Sequence, residues 1–154
     1  RDSILKISGL LDERMFGAGT LDERMKRRSI YFMIKRSKLI RSMQLFDSPE
    51  PLVSQGSRPA TIIAPQALHF MNNGQVREAA TALAKQLEQA PDTAAAVTLG
   101  YQTVLGRAPT AKEQKSISAF IGAQQKSYPN NGRQLALADF AQVLFGLNEF
   151  IYVQ

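Results

Sequence analysis

The sequence predicts a mainly α fold of the α+β type: a small helical bundle of four or five helices with a short β element near residues 29–46. Three observations predict it. Apolar residues recur at helical spacing through the second half, and capping residues stand where those patterns begin and end. Earlier, the stretch Lys26–Lys38 alternates with period two instead.

Ile4, Leu5 and Ile7 before Gly9 predict the tail of a helix stopped by a glycine. Leu11-Asp12-Glu13-Arg14-Met15 then recurs identically as Leu21-Asp22-Glu23-Arg24-Met25. A repeated pentapeptide is far shorter than a solenoid unit, so coincidence or local duplication is its reading. Phe16-Gly17-Ala18-Gly19-Thr20, between the copies, is a loop by composition. In the basic stretch Ile30, Phe32 and Ile34 would point one way, and Arg27, Ser29, Tyr31, Met33 and Lys35 the other. That predicts a strand anchored on one face and basic on the other. Met43–Phe46 is a second short apolar piece, ended by Asp47-Ser48-Pro49-Glu50-Pro51 because proline cannot donate to a ladder.

Ser, Gly, Gln, Pro and Arg dominate residues 52–59, which predicts a surface loop and a sub-boundary near 52–60 between a β-containing half and a helical half. Pro65 suits the first turn of a short helix over Gln66–Asn72, ended by Asn73-Gly74. Val76, Ala79, Ala80, Leu83 and Leu87 mark an amphipathic helix. Asp92 predicts the cap of the next, with Val97, Tyr101, Val104 and Leu105 on one face and Gly106 at its end. Thr110-Ala111-Lys112-Glu113 reads as a capping box, followed by Ile117, Phe120 and Ile121 as an inner stripe. After the turn Tyr128–Gly132, the residues Leu137, Phe140, Ala141, Leu144 and Leu147 give the last helical face.

Composition narrows the function classes. The 154 residues are 44% apolar and 21% charged, with net charge +6. Seven of the 19 Lys and Arg lie between Lys26 and Arg41, and no acid occurs from Lys26 to Phe46. Such a local excess permits an anionic partner without specifying one. With no cysteine, the segment has no disulfide, thiolate metal site, thiol nucleophile or covalent c-type haem attachment. No apolar run approaches the length of about 18 residues that a membrane helix needs. The chain starts at Arg1 without Met, and is expected to be one module, 1–154, of a longer protein.

Five phrases resemble one family in the same order. They are Arg27-Arg28-Ser29-Ile30-Tyr31 with Lys35-Arg36, then Phe46-Asp47-Ser48-Pro49, then Thr61 with Pro65-Gln66-Ala67-Leu68 and Asn72. Leu105–Thr110 and Leu147–Tyr152 complete the series. Together they resemble the planctomycete-type C-terminal domain of unknown function fifteen-fifty-three. That resemblance implies an exported, multidomain surface or periplasmic parent, often carrying a c-type cytochrome domain, so any haem would lie elsewhere in the parent. It implies no cofactor here and no reaction. The chain departs from many relatives in having a single arginine, Arg58, and no Cys before Thr61, and His69 where an aliphatic residue is usual.

Among site candidates, Arg27, Tyr31 and Lys35 could meet an anion from the basic face of the expected strand. The competing reading is structural, with Arg28 and Arg36 paired to acids such as Asp47 or Glu149. Pro65, Gln66, Asn72, Arg107, Asn148 and Glu149 are read as structural members of the family motifs. Asp47 and Glu50 could pose as paired carboxylates, but an Asp before proline in a turn is more often a local acceptor. His69, the one histidine, cannot build a multi-histidine metal site. No catalytic, cofactor-binding or metal residue is assigned. The expected function is a non-catalytic interaction or scaffolding module contacting neighbouring domains of its parent. The alternatives are a share in a polysaccharide-processing or redox assembly, and binding of anionic glycan through the basic strand, with nucleic acid the less favoured ligand.

Overall fold

The computed structural model describes residues 1–49, 56, 61 and 64–152. Its helices are α1 (Asp2–Ile7), α2 (Arg41–Leu45), α3 (Ala64–Asn72), α4 (Gly74–Leu87), α5 (Thr93–Leu105), α6 (Ala111–Ser127), α7 (Gly132–Phe145) and α8 (Asn148–Ile151). The mainly helical reading holds, and the five longer helices, α3 to α7, form the bundle. Glu50 and, Gly56 apart, the sub-boundary expected near 52–60 lie outside the described residues.

Local signals set the helix ends. The Asn73 side chain accepts from the amides of Gln75 at 2.8 Å and Val76 at 3.4 Å, opening α4 directly after α3. Asp92 accepts from the Ala95 amide at 2.7 Å. Gly106 closes α5 in the left-handed region, φ 71°, where a side chain would be strained. At α6 both halves of the capping box form: the Glu113 amide donates to Thr110 Oγ1 at 3.3 Å, and the Thr110 amide to Glu113 Oε2 at 2.7 Å.

Helix α7 is central, packing on α3, α4, α5, α6 and α8. Ala136, Leu137, Ala138, Phe140, Ala141, Leu144 and Phe145 are all buried, which is more than one stripe and what an enclosed helix requires. Helix α4 meets it with Val76, Ala79, Ala80, Leu83, Ala84 and Leu87, the spacing the sequence showed plus Ala84. Burial of each large side chain, such as Leu83 or Phe140, contributes on the order of 1.5–3 kcal/mol. A polar tie crosses the same interface: Arg77 donates to Asp139 at 2.7 Å, and the Tyr128 hydroxyl to the other Asp139 oxygen at 2.7 Å. Helix α5 approaches α7 at Gly100, where a Cβ would stand 2.7 Å from Phe140 Cε1.

The β element is reduced to isolated bridges. Asp12 pairs with Arg27 and Thr20 with Phe32, both parallel, and Lys35 pairs with Lys38. Within the expected strand, Ser29–Tyr31 form a 3-10 turn. The cause is a side chain 27 residues away: Asp2 accepts from the Ser29 amide at 2.9 and 3.0 Å and from Ser29 Oγ at 2.6 Å. It thereby takes the donor a ladder would use. The period-two face does not form either, since Ile30 and Ile34 are 77% and 78% exposed. Met43–Leu45, expected as extended, belong to helix α2.

Candidate functional site

Between α1 and α2 the chain runs as an arm, residues 8–40, with little regular structure. Hydrogen bonds hold it where apolar packing does not. The Arg27 guanidinium lies 3.6 Å over the Tyr31 ring and donates to the carbonyls of Arg14, at 3.1 and 3.2 Å, and Phe16. The Phe16 amide in turn donates to the Tyr31 hydroxyl at 2.8 Å. Arg1 reaches the carbonyls of Arg27, at 2.9 Å, and Met25, and its guanidinium stands 4.7 Å over Phe32.

The repeated pentapeptide has a local role in this arm. In the first copy Asp12 accepts from the Arg14 amide at 3.1 Å; in the second Asp22 accepts from the Arg24 amide at 2.9 Å. Both are the same short turn, an aspartate bonding the amide two residues on. The second copy also joins the arm to the rest of the fold. The Arg41 amide donates to the Glu23 carboxylate at 3.2 Å, and Gln75 of α4 donates to the Glu23 carbonyl at 2.9 Å. Lys26 completes the attachment, pairing with Glu78 of α4 at 2.5 Å.

Beneath the arm lies a cleft of about 390 Å³. Ile4, Leu10, Met43, Phe46, Phe70 and Val76 give it an apolar lining, and Asp2, Lys26, His69, Asn73 and Glu78 its polar groups. His69 is half-buried, edge-on to Phe46 and Phe70 with ring centres 5.7 and 5.9 Å away. Its Nδ1 stands 3.4 Å from the Asn73 side-chain nitrogen. Burial lowers its pKa below the ordinary histidine value. Asp2 sits lower than an ordinary carboxyl. Burial opposes that shift, and the hydrogen bonds from Ser29 together with the Arg1 charge outweigh it.

Among the described residues, the most concentrated charged cluster is elsewhere. Arg107 donates to both Glu113 oxygens at 3.0 and 2.8 Å and to both Glu149 oxygens at 2.6 and 2.8 Å. Its guanidinium lies 5.2 Å over Tyr101. Two fork-shaped contacts on one guanidinium are geometrically specific in a way a single lysine contact is not. The Arg107 bonds, followed by those from Thr110, hold the Glu113 carboxyl down to about 2, and Arg107 also lowers Glu149. The arginine's own pKa is raised, first by Glu149 and then by Glu113. This cluster closes the α5–α6 turn against α8.

The predicted site residues are therefore scattered. Arg27 and Tyr31 are engaged with each other and with the arm's backbone, while Lys35 is exposed in a tight turn whose carbonyl accepts from the Lys38 amide at 3.0 Å. Arg28 and Arg36 are exposed and pair with no acid among the described residues. The expected pairing to Glu149 is corrected, because Arg107 holds that carboxylate. Asp47, with φ 58°, accepts from Thr61 through its amide at 2.7 Å and its hydroxyl at 2.8 Å. Pro65 stands in the first turn of α3. Gln66 is buried and donates to the Leu45 carbonyl at 2.9 Å, tying α3 to α2. Asn72 is exposed at the end of α3, and the cap is its neighbour Asn73. The Asn148 carbonyl accepts from the Tyr152 amide at 2.9 Å within α8. Sequence reasoning missed Arg1, Asp2 and Glu113 as partners in these contacts. Glu113 alone had a local signal, its place in the capping box.

A family model described as a protein of unknown function, DUF1553, matches residues 1–121. That span takes in the arm, the cleft and four of the five motif phrases, and it ends within α6. No curated protein and no solved structure matches the chain.

Proposed function

This chain belongs to the DUF1553 family of proteins of unknown function, and on that premise we propose that it is a non-catalytic interaction module. In this reading it supports neighbouring domains of an exported, surface or periplasmic parent. One observation carries the proposal: the arm presents large apolar side chains to solvent. Phe16 is 81% exposed, Ile30 77% and Ile34 78%, on a segment fixed in place by directed hydrogen bonds. Isolated exposed apolar residues are ordinary, but three large ones on one arm, two of them lining a common groove, are what an unfilled contact surface presents. The charged side chains support the same reading, since Glu113 and Glu149 answer Arg107, and Asp139 answers Arg77 and Tyr128.

The test is a photo-crosslinking residue placed at Ile34 in the full-length parent. Cross-links should run from the arm into a neighbouring domain. Cross-links confined to this chain, or none, would remove the proposal. A second reading, a share in an active site assembled between domains, draws support from the cleft that holds His69. It requires that His69→Ala lower the parent's activity while leaving its melting temperature and its cross-links unchanged.

A further inference from the structure

A second concavity, about 280 Å³, lies between residues 29–35 of the arm and α2. Its lining is mostly apolar, led by Ile30, Phe32, Ile34, Ile40 and Met43, with Ser29, Gln44 and Ser48 among it. Lys35 also lines it, and Arg28, Arg36 and Lys38 stand close in sequence. All four cations are exposed, and none has an ion pair or side-chain hydrogen bond among the described residues. Their neighbours in the basic stretch differ. Lys26 is paired with Glu78, and Arg27 is bonded to the arm's own carbonyls.

We infer that this groove receives an acidic protein segment carrying aliphatic anchor residues. The inference rests on the interaction-module reading and names the chemistry of the partner. Carboxylates would answer Lys35 at the groove and Lys38 bridged to it, and an aliphatic side chain would enter the apolar lining, the usual division between an anchoring centre and a charged rim. Three features favour a peptide over other polyanions. Nucleic acid and glycan bind by stacking on open aromatic faces, yet Phe32 and Tyr31 each have a guanidinium over one face. The Tyr31 hydroxyl is engaged as well. Ile30 and Ile34 protrude in a way a bilayer contact would also use, but the concavity of about 280 Å³ beside them admits an inserted side chain, which a peptide supplies and a headgroup layer does not.

The probe is a short labelled peptide alternating glutamate and leucine, titrated with the whole chain and followed by fluorescence anisotropy. Binding at low salt should weaken as salt rises. Lys35→Glu with Lys38→Glu should weaken it by at least about tenfold, as charge reversal at a complementary interface does. A peptide alternating lysine and leucine should recover binding to that doubly reversed variant. Ile34→Asp should abolish binding of the acidic peptide. All these positions are exposed, and melting temperatures verify that the variants fold. Three outcomes overturn the inference: a leucine-free glutamate peptide binding equally well, phosphatidylserine vesicles or a single-stranded oligonucleotide competing the peptide away, or no binding at low salt. If the peptide fails while the Ile34 cross-links persist in the parent, the acidic partner is refuted and the interaction module stands.

Discussion

Two glycines in helix interiors should respond oppositely to the same substitution. Replacing a mid-helix glycine by alanine ordinarily stabilises by about 0.5–1 kcal/mol, because the unfolded chain loses freedom and the helix gains a good former. Gly122 in α6 has no atom within 4 Å of the position a Cβ would take, so Gly122→Ala should show that gain undiminished. At Gly100 the new Cβ would stand 2.7 Å from Phe140 Cε1, 3.0 Å from Cζ and 3.3 Å from Leu144 Cδ1. Carbon atoms prefer separations of about 3.5–4.0 Å. Phe140 is fully buried and stacked on Tyr101 at 6.3 Å, so its ring has no free direction in which to retreat. Overpacking of that kind costs about 1–3 kcal/mol, which exceeds the propensity gain and sets the sign. In a chain of this size each 1 kcal/mol moves Tm by about 2–4 °C. Far-UV circular dichroism melts should therefore place Gly122→Ala above the unmodified chain and Gly100→Ala below it, at least about 2 °C apart. Equal or inverted melting temperatures would refute the close approach of α5 to α7.

Acid should act through the Arg107 cluster. Glu113 titrates at about 2 when folded, against an unfolded value of about 4.3. A carboxylate with a depressed folded pKa contributes stability that is complete above the unfolded value and lost as pH falls towards 2. Tm should drop through that window, and Arg107→Met should make the drop shallower; an unchanged slope would show that the cluster does not carry it. The arm should loosen alone in Asp2→Asn, because Ser29 loses its carboxylate acceptor. Hydrogen exchange at the Ser29 amide should speed up while amides in α7 keep their protection, and joint acceleration would mean that arm and bundle open together.

Helices α3 to α7 were legible because their determinants are local. Val76 to Leu87 carries its own spacing, and Asp92, Thr110 and Gly106 act within a few residues of themselves. The basic stretch was misread for the opposite reason. Period-two alternation fixes which side chains share a face only if a neighbouring strand supplies the ladder. Here Thr20 and Asp12 each supply a single bridge, and Asp2 takes the Ser29 amide. Asp2 lies 27 residues from Ser29, and Arg107 lies 42 from Glu149. No windowed pattern links such positions, so the structural reading could offer Glu149 to Arg28 or Arg36 and had no means of pointing to Arg107.

The fate of each arginine follows from what stands within reach. Arg27 has carbonyls and the Tyr31 ring beside it, and Arg107 has two carboxylates, so both serve the chain's own architecture. Arg28 and Arg36 belong to the same motif phrases, yet no described acid reaches them. The sequence excludes acids from Lys26 to Phe46 altogether, which removes every local partner these cations could have found. An unpaired exposed cation is cheap in water, since a surface ion pair is worth only about 0–1 kcal/mol, so stability places little demand on these positions. Their charge is thus available to the acidic segment we propose, whose aliphatic side chains the groove lined by Lys35 would take.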